Sequence, residues 1–152
     1  AWGLSMMAPG GSVVVPVRKT TDARTGLLPD RSLILWPYAS LKDRHLDLQD
    51  DVILLHSNTT DEPIKLGLRS PLGRLAYIKD GIAFDKQMMF DSTAVYPDYG
   101  CNLEVYTNKD FVELEVLSGI QRIHPGESIQ LQEKWSVYPF ADSPEKWLSK
   151  VG

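Results

Sequence analysis

Residues 101–118 read "CNLEVYTNKDFVELEVLS", two alternating polar–apolar runs on either side of Asn108-Lys109. Alternation at period two is what a strand with one buried face and one polar face writes into a sequence. Two such runs around a short polar step predict a hairpin. With Asn108-Lys109 at the turn, Glu104 faces Glu113, Val105 faces Val112 and Leu103 faces Leu114. One face then collects Cys101, Leu103, Val105, Val112, Leu114 and Val116. The other collects Asn102, Glu104, Tyr106, Phe111, Glu113 and Glu115. The separation is clean, and a slip by one residue would mix the two sets.

The polar face is either a solvated exterior with splayed carboxylates or a concave surface that uses them. A like-charge Glu104/Glu113 pair is destabilising unless a cation, a shared proton or open water relieves it. Tyr106 and Phe111 on the same face count against full exposure. Carboxylates, an amide and aromatic rings together suit a sugar: the oxygens accept from hydroxyls, and the rings cover the apolar side of the pyranose.

The same texture runs through the chain. Short apolar runs fall at 12–17 (SVVVPV), 33–38 (LILWPY), 51–56 (DVILLH), 63–68 (PIKLGL), 74–79 (RLAYIK), 82–86 (IAFDK) and 128–138 (SIQLQEKWSVY). Glycines and prolines punctuate them at roughly ten-residue spacing, which predicts an all-β antiparallel sandwich or barrel. Asp80-Gly81 between two runs is a strong hairpin signal. Residues 39–48 (ASLKDRHLDL) read as a short helix or an extended crossing. Near the C-terminus, Ser143 as N-cap and Pro144 in the first turn predict a short helix that presents Trp147 and Leu148 to a sheet.

With 152 residues, the chain is the size of one domain spanning 1–152. A net charge of −4 with scattered Lys and Arg gives no basic face for nucleic acid or an anionic membrane. The lone Cys101 excludes an intramolecular disulfide and suits a reducing, cytoplasmic setting. The opening AWGLSMMAPGG lacks the basic and apolar regions of a signal peptide, and the absence of an initiating Met suggests part of a longer product. The 8–12 stretch APGGS lacks the Lys and helix of a phosphate loop. The 47–51 stretch DLQDD lacks the spacing and closing Glu of a calcium loop. No cofactor or metal site is expected. His45 reads as a surface residue, His56 as a capped strand end and His124 as a turn residue. The four tryptophans read as core and sheet-packing residues.

From Pro97 to Val137 the chain resembles the C-terminal part of galactose mutarotase-like (aldose epimerase-like) supersandwich proteins, nearest to an uncharacterised bacterial branch. The likeness is carried by Asn102–Asn108 (NLEVYTN), Glu113–Leu117 (ELEVL), Ile123–Ser128 (IHPGES) and Glu133–Trp135 (EKW). Lys65-Leu66-Gly67 and the LAYIKDGIAFDK stretch resemble further segments in the same order. The resemblance implies the C-terminal half of that supersandwich and aldose 1-epimerase-like chemistry. By position before the PGE turn it implies Glu115 as general base, with Glu113 as the alternate. None of the three histidines matches the family's acid.

The expectation is therefore a carbohydrate-recognising sandwich. Glu115 is the candidate catalytic base, and Asn102, Glu104, Tyr106, Glu113 and Lys65 are candidate ligand-binding residues. The alternative is a non-catalytic carbohydrate-binding or self-assembling module. Open sheet edges would drive it to a homo-oligomer, most simply a dimer.

Overall fold

The structure, a computed structural model, describes residues 1–17, 24–29, 31–57 and 62–151. Its elements are β1 (Trp2–Met7), β2 (Ser12–Pro16), β3 (Ser32–Leu35), β4 (Leu46–Leu48), β5 (Val52–His56) and β6 (Ile64–Arg69). They continue with β7 (Arg74–Lys79), β8 (Ile82–Met88), β9 (Leu103–Thr107), β10 (Val112–Leu117) and β11 (Glu133–Pro139). A 3-10 turn at Pro144–Lys146 then leads into helix α1 (Trp147–Val151).

These strands form two antiparallel sheets, as the apolar spacing predicts. The first has the order β1-β10-β9-β6-β3, and the second β11-β8-β7-β2-β5-β4. Alternation puts Leu66, Leu68, Leu103, Val105, Val112, Leu114 and Val116 on the inner face of the first sheet. There they meet Val13, Val15, Ile53, Leu55, Leu75 and Tyr77 from the second. Each buried Leu, Ile or Val contributes about 1.5–3 kcal/mol, so this shared core supplies the driving force for closing the sandwich.

The outer face of the second sheet is covered. Val14, Leu54, Ala76, Ile78 and Ala83 pack beneath Phe140 and a fully buried Trp147. Ser143 precedes the turn with extended backbone, and Pro144 begins it, although no side-chain cap hydrogen bond forms. Trp147 Nε1 donates to Tyr138 Oη at 2.8 Å, which fixes the indole over the sheet. Of the other tryptophans, Trp36 is half-buried while Trp2 and Trp135 are exposed, so only Trp147 is a core residue.

Asp80 and Gly81 both take positive φ, 49° and 75°, as a tight primed turn between β7 and β8 requires. Residues 39–45 form turns rather than a helix and deliver the chain to β4, which pairs with β5. This pairing corrects the expectation for His45. The His56 amide donates to the His45 carbonyl at 2.8 Å, and the imidazole is buried beside Asp43, with Nδ1 2.8 Å from Oδ1. His56 does end its strand, with Nδ1 2.8 Å from Ser12 Oγ, and His124 lies exposed in a turn.

Candidate functional site

The β9–β10 hairpin forms and its strand residues take the predicted faces, but Cys101, expected on the core face, lies on the outer side beside Gly67 and Trp36, Asn102 leaves the polar face, and the register is displaced by two residues. Thr107 pairs with Val112 and Tyr106 with Glu113, so Glu104 lies opposite Glu115 instead of Glu113. The cause is the turn. Asn108 Oδ1 accepts from the amides of Asp110 (2.8 Å) and Phe111 (3.0 Å), widening the loop to four residues and moving Phe111 out of the strand. A two-residue displacement preserves which side each residue faces, so the carboxylates still share the outer face.

That face is not solvated at its centre. Glu115 is 0% exposed and Glu104 2%, although both point away from the sandwich core. Lys65, brought alongside by the β6–β9 pairing, lies between them. Its Nζ is 2.8 Å from Glu104 Oε2 and donates to Glu115 Oε2 at 3.1 Å. Nζ is also 3.1 Å from Glu115 Oε1, but outside hydrogen-bonding geometry. Oε1 of Glu104 and Oε1 of Glu115 are thus both buried without a hydrogen-bond partner. Such orphaned acceptors are rare in folded proteins, because each costs about 1–3 kcal/mol or more.

Aromatic side chains surround the charges. Trp2 Nε1 donates to Glu115 Oε2 at 2.9 Å, while the residue as a whole remains 62% exposed. Lys65 Nζ sits 4.8 Å from the centroid of the Trp36 ring, a cation–π distance. Gly67 makes room for that ring: a Cβ there would stand 2.4 Å from Cys101 Sγ and 3.0 Å from Trp36 Cζ3. Tyr38 follows on the same segment, and burial raises its hydroxyl pKa, with Lys65 opposing and Tyr106, Glu115 and Glu113 reinforcing.

Burial pushes the Glu104 carboxyl up to about 7; Lys65 draws it down, while Glu115 and Asp98 push it further up. Glu113 is also raised, by partial burial and by Glu115. Burial opposes the charge on Lys65, but hydrogen bonds to the two glutamates outweigh it, so its pKa is raised. The Cys101 thiol beside Glu104 is driven up to about 12 by burial and then by that carboxylate, which makes it a poor nucleophile.

The residues singled out from the sequence therefore divide. Glu104, Glu115 and Lys65 converge. Tyr106 and Glu113 stand opposite each other at the margin, with Tyr106 tilted against Phe111 at 5.7 Å between ring centroids. Asn102 does not join them. Its Oδ1 accepts from the Ser70 amide (2.6 Å), its Nδ2 donates to the Ser70 carbonyl (2.9 Å), and the group is fully buried towards Met88. The alternation breaks at this point because Asp98, Tyr99 and Gly100 all take positive φ, at 48°, 61° and 100°. Two consecutive non-glycine residues in this region are strained, and the strain lies next to Glu104.

Trp2, Trp36 and Tyr38 were not expected at the site. Trp2 shares an outward parity with Leu4 and Met6, but only the β1–β10 pairing places it near Glu115. A cleft of about 450 Å³ lined by Val17, Leu33, Leu48, Ile53 and Leu68 lies at the β3–β4 end and does not include the triad. Among the described residues no group of three or more His, Cys, Asp or Glu side chains converges to hold a metal ion. No helix among them is long and apolar enough to cross a membrane. Comparison with protein-family models, curated proteins and solved structures finds no match to this chain.

Proposed function

We propose that the outer face of the first sheet recognises a sugar or sugar derivative and carries out aldose 1-epimerase-like chemistry, with Glu115 as general base. The observation that carries this reading is the pair of buried carboxylate oxygens without hydrogen-bond partners, held by one ammonium and flanked by indole rings. Sugar hydroxyls are donors of the kind these oxygens lack, and indole faces suit the apolar side of a pyranose. The resemblance to galactose mutarotase-like proteins along Pro97–Val137 points to the same chemistry. A ligand reaches Glu115 by taking the place of the exposed Trp2 indole, exchanging one N–H donor for a hydroxyl. Lys65 and Glu104 then hold the neighbouring oxygens, and Tyr106 and Glu113 form the margin. A cytoplasmic setting suits the unpaired, buried Cys101 thiol.

Polarimetry or exchange NMR of freshly dissolved glucose and galactose tests the proposal. The wild type is expected to accelerate anomer exchange, and Glu115→Gln to lose about 100-fold or more of that acceleration. Sugar-induced NMR shifts without acceleration leave a binding module. The absence of both rejects the site.

A second reading, self-assembly into a dimer, rests on a different surface. Trp135 and Val137 on β11 are 58% and 67% exposed, although they share the inward-facing parity of Phe84 and Lys86. β1 and β11 end their sheets on the same side, where Gly3 meets Glu133, leaving apolar surface beside two edges that are open among the described residues. A dimer in light scattering that is weakened by Val137→Lys supports this reading; a monomer at high protein concentration rejects it.

A further inference from the structure

We infer that Glu104 is the proton donor that complements Glu115, protonating the ring oxygen of the bound sugar while Glu115 takes the proton of the anomeric hydroxyl. This rests on the sugar-site reading and adds the acid that the histidines do not supply.

The geometry favours the pair. The anomeric and ring oxygens are bonded to one carbon, so the acid and the base must stand close together. Glu104 and Glu115 are directly opposed across β9–β10, and directly opposed Cα atoms lie about 4.5–5.5 Å apart. Both carboxylates touch the same Lys65 ammonium, and each keeps one buried oxygen without a hydrogen-bond partner.

Their surroundings differ in the direction that assigns the roles. Glu115 accepts from Lys65 Nζ and, until a ligand takes the place of the indole, from Trp2 Nε1. Among the described residues, Lys65 is the cation paired with Glu104. Glu104 faces Glu115 from β10, and Asp98 and the Cys101 thiol from the preceding loop, while Tyr38 approaches Lys65 from the segment after β3. Deep burial, reinforced by Glu115 and Asp98 and only partly offset by Lys65, favours the neutral acid on Glu104, consistent with a carboxyl pushed up to about 7. Separation of two carboxylates into one acid and one base by their environments is a recurring way to run both halves of such a reaction.

The step balances. The anomeric O–H proton passes to the Glu115 carboxylate as the carbonyl forms, and the bond from the anomeric carbon to the ring oxygen breaks. The ring oxygen takes the Glu104 proton. After rotation about the bond beside the new carbonyl, the ring hydroxyl attacks the other face. Its proton returns to Glu104, and the Glu115 proton returns to the carbonyl oxygen. One negative charge moves between the two glutamates and back, and Lys65 contacts both, so the net charge of the triad is constant throughout.

The test is the pH–rate profile of anomer exchange for wild type and Glu104→Gln, with sugar-induced NMR shifts recorded in parallel. The wild-type rate should fall as pH rises above about 7, where Glu104 gives up its proton. Glu104→Gln should lose that limb together with about 100-fold or more of the rate, while retaining the shifts. In wild type, the carbon-13 signal of the Glu104 carboxyl should titrate with the same midpoint as the rate limb, a check that does not require the variant to fold. A Glu104→Gln rate and profile equal to wild type, or a Glu104 midpoint below about 5, overturns the inference and leaves the sugar site standing. Wild-type shifts without acceleration also overturn it, whereas no shifts and no acceleration reject the sugar site itself.

Discussion

Two lysines lie on neighbouring parts of this sandwich and solve burial in different ways. Lys65 points outward from β6 between two carboxylates, and its pKa is raised. Lys86 points inward from β8 and is 0% exposed. It donates to the Gly3 carbonyl (2.9 Å), Ser5 Oγ (3.0 Å) and the Leu114 carbonyl (3.1 Å) of the opposite sheet, with Glu133 at 3.3 Å. Its pKa is lowered, because burial outweighs the help from Glu133 and the more distant Glu115. One ammonium is matched by charge, the other mainly by dipoles. A charge-matched group can change its partners' protonation when a ligand arrives, whereas one held by backbone carbonyls of the facing sheet is fixed by the fold. The first arrangement suits a site and the second a staple.

Replacing Lys86 is the strongest way to break that contrast. Lys86→Met leaves two buried carbonyls and a mostly buried Glu133 without their donor, so a loss of about 3 kcal/mol is expected in denaturant melts. A loss below about 1 kcal/mol would mean that the inter-sheet contact is not a staple.

Lys65→Met should cost less, about 2 kcal/mol, because the stranded carboxylates can share a proton. Its cost should also depend on pH. The Glu104 pKa is raised from 4.5 in the unfolded chain to about 7, so the folded state binds the extra proton. Wild-type stability should therefore be greatest below about pH 4.5 with respect to this group and decline as pH climbs through 7. Removal of the ammonium raises the carboxyl further, so Lys65→Met should be hurt more at pH 8 than at pH 5. A pH-independent difference in melting would argue against a Lys65–Glu104 coupling.

The smallest effect is expected from Trp2→Phe. It removes the indole N–H from Glu115 and should cost about 0.5–1 kcal/mol. Sugar-induced shifts should saturate at lower ligand concentration, because one competitor for the carboxylate has gone. Weaker sugar binding would instead make Trp2 part of the binding surface.

Much of the sandwich was legible because strands with one buried face must alternate. Val105, Leu114 and their neighbours marked the core, Asp80-Gly81 marked a turn, and Ser143-Pro144 marked the start of the final helical segment. The hairpin register was not, since it turned on one side chain, the Asn108 amide, capping a four-residue loop. Asn102 and Cys101 were both misplaced because three left-handed residues before them interrupt the alternation on which their assignment relied. His45 was misjudged because β4–β5 pairing, which no local pattern announces, draws it inward.

By itself the sequence determined that Glu104, Glu113 and Glu115 share one face and that this face is not core, since side-chain parity is a local property of a strand. Only the tertiary structure decided that Glu104 and Glu115 are buried, that Lys65 joins them and that Trp2, Trp36 and Tyr38 enclose them. Burial and pairing depend on which strands become neighbours, and residues 2, 36, 65, 104 and 115 meet only after the first sheet has assembled. The proton balance among those charges is a property of that assembly and of no single strand within it.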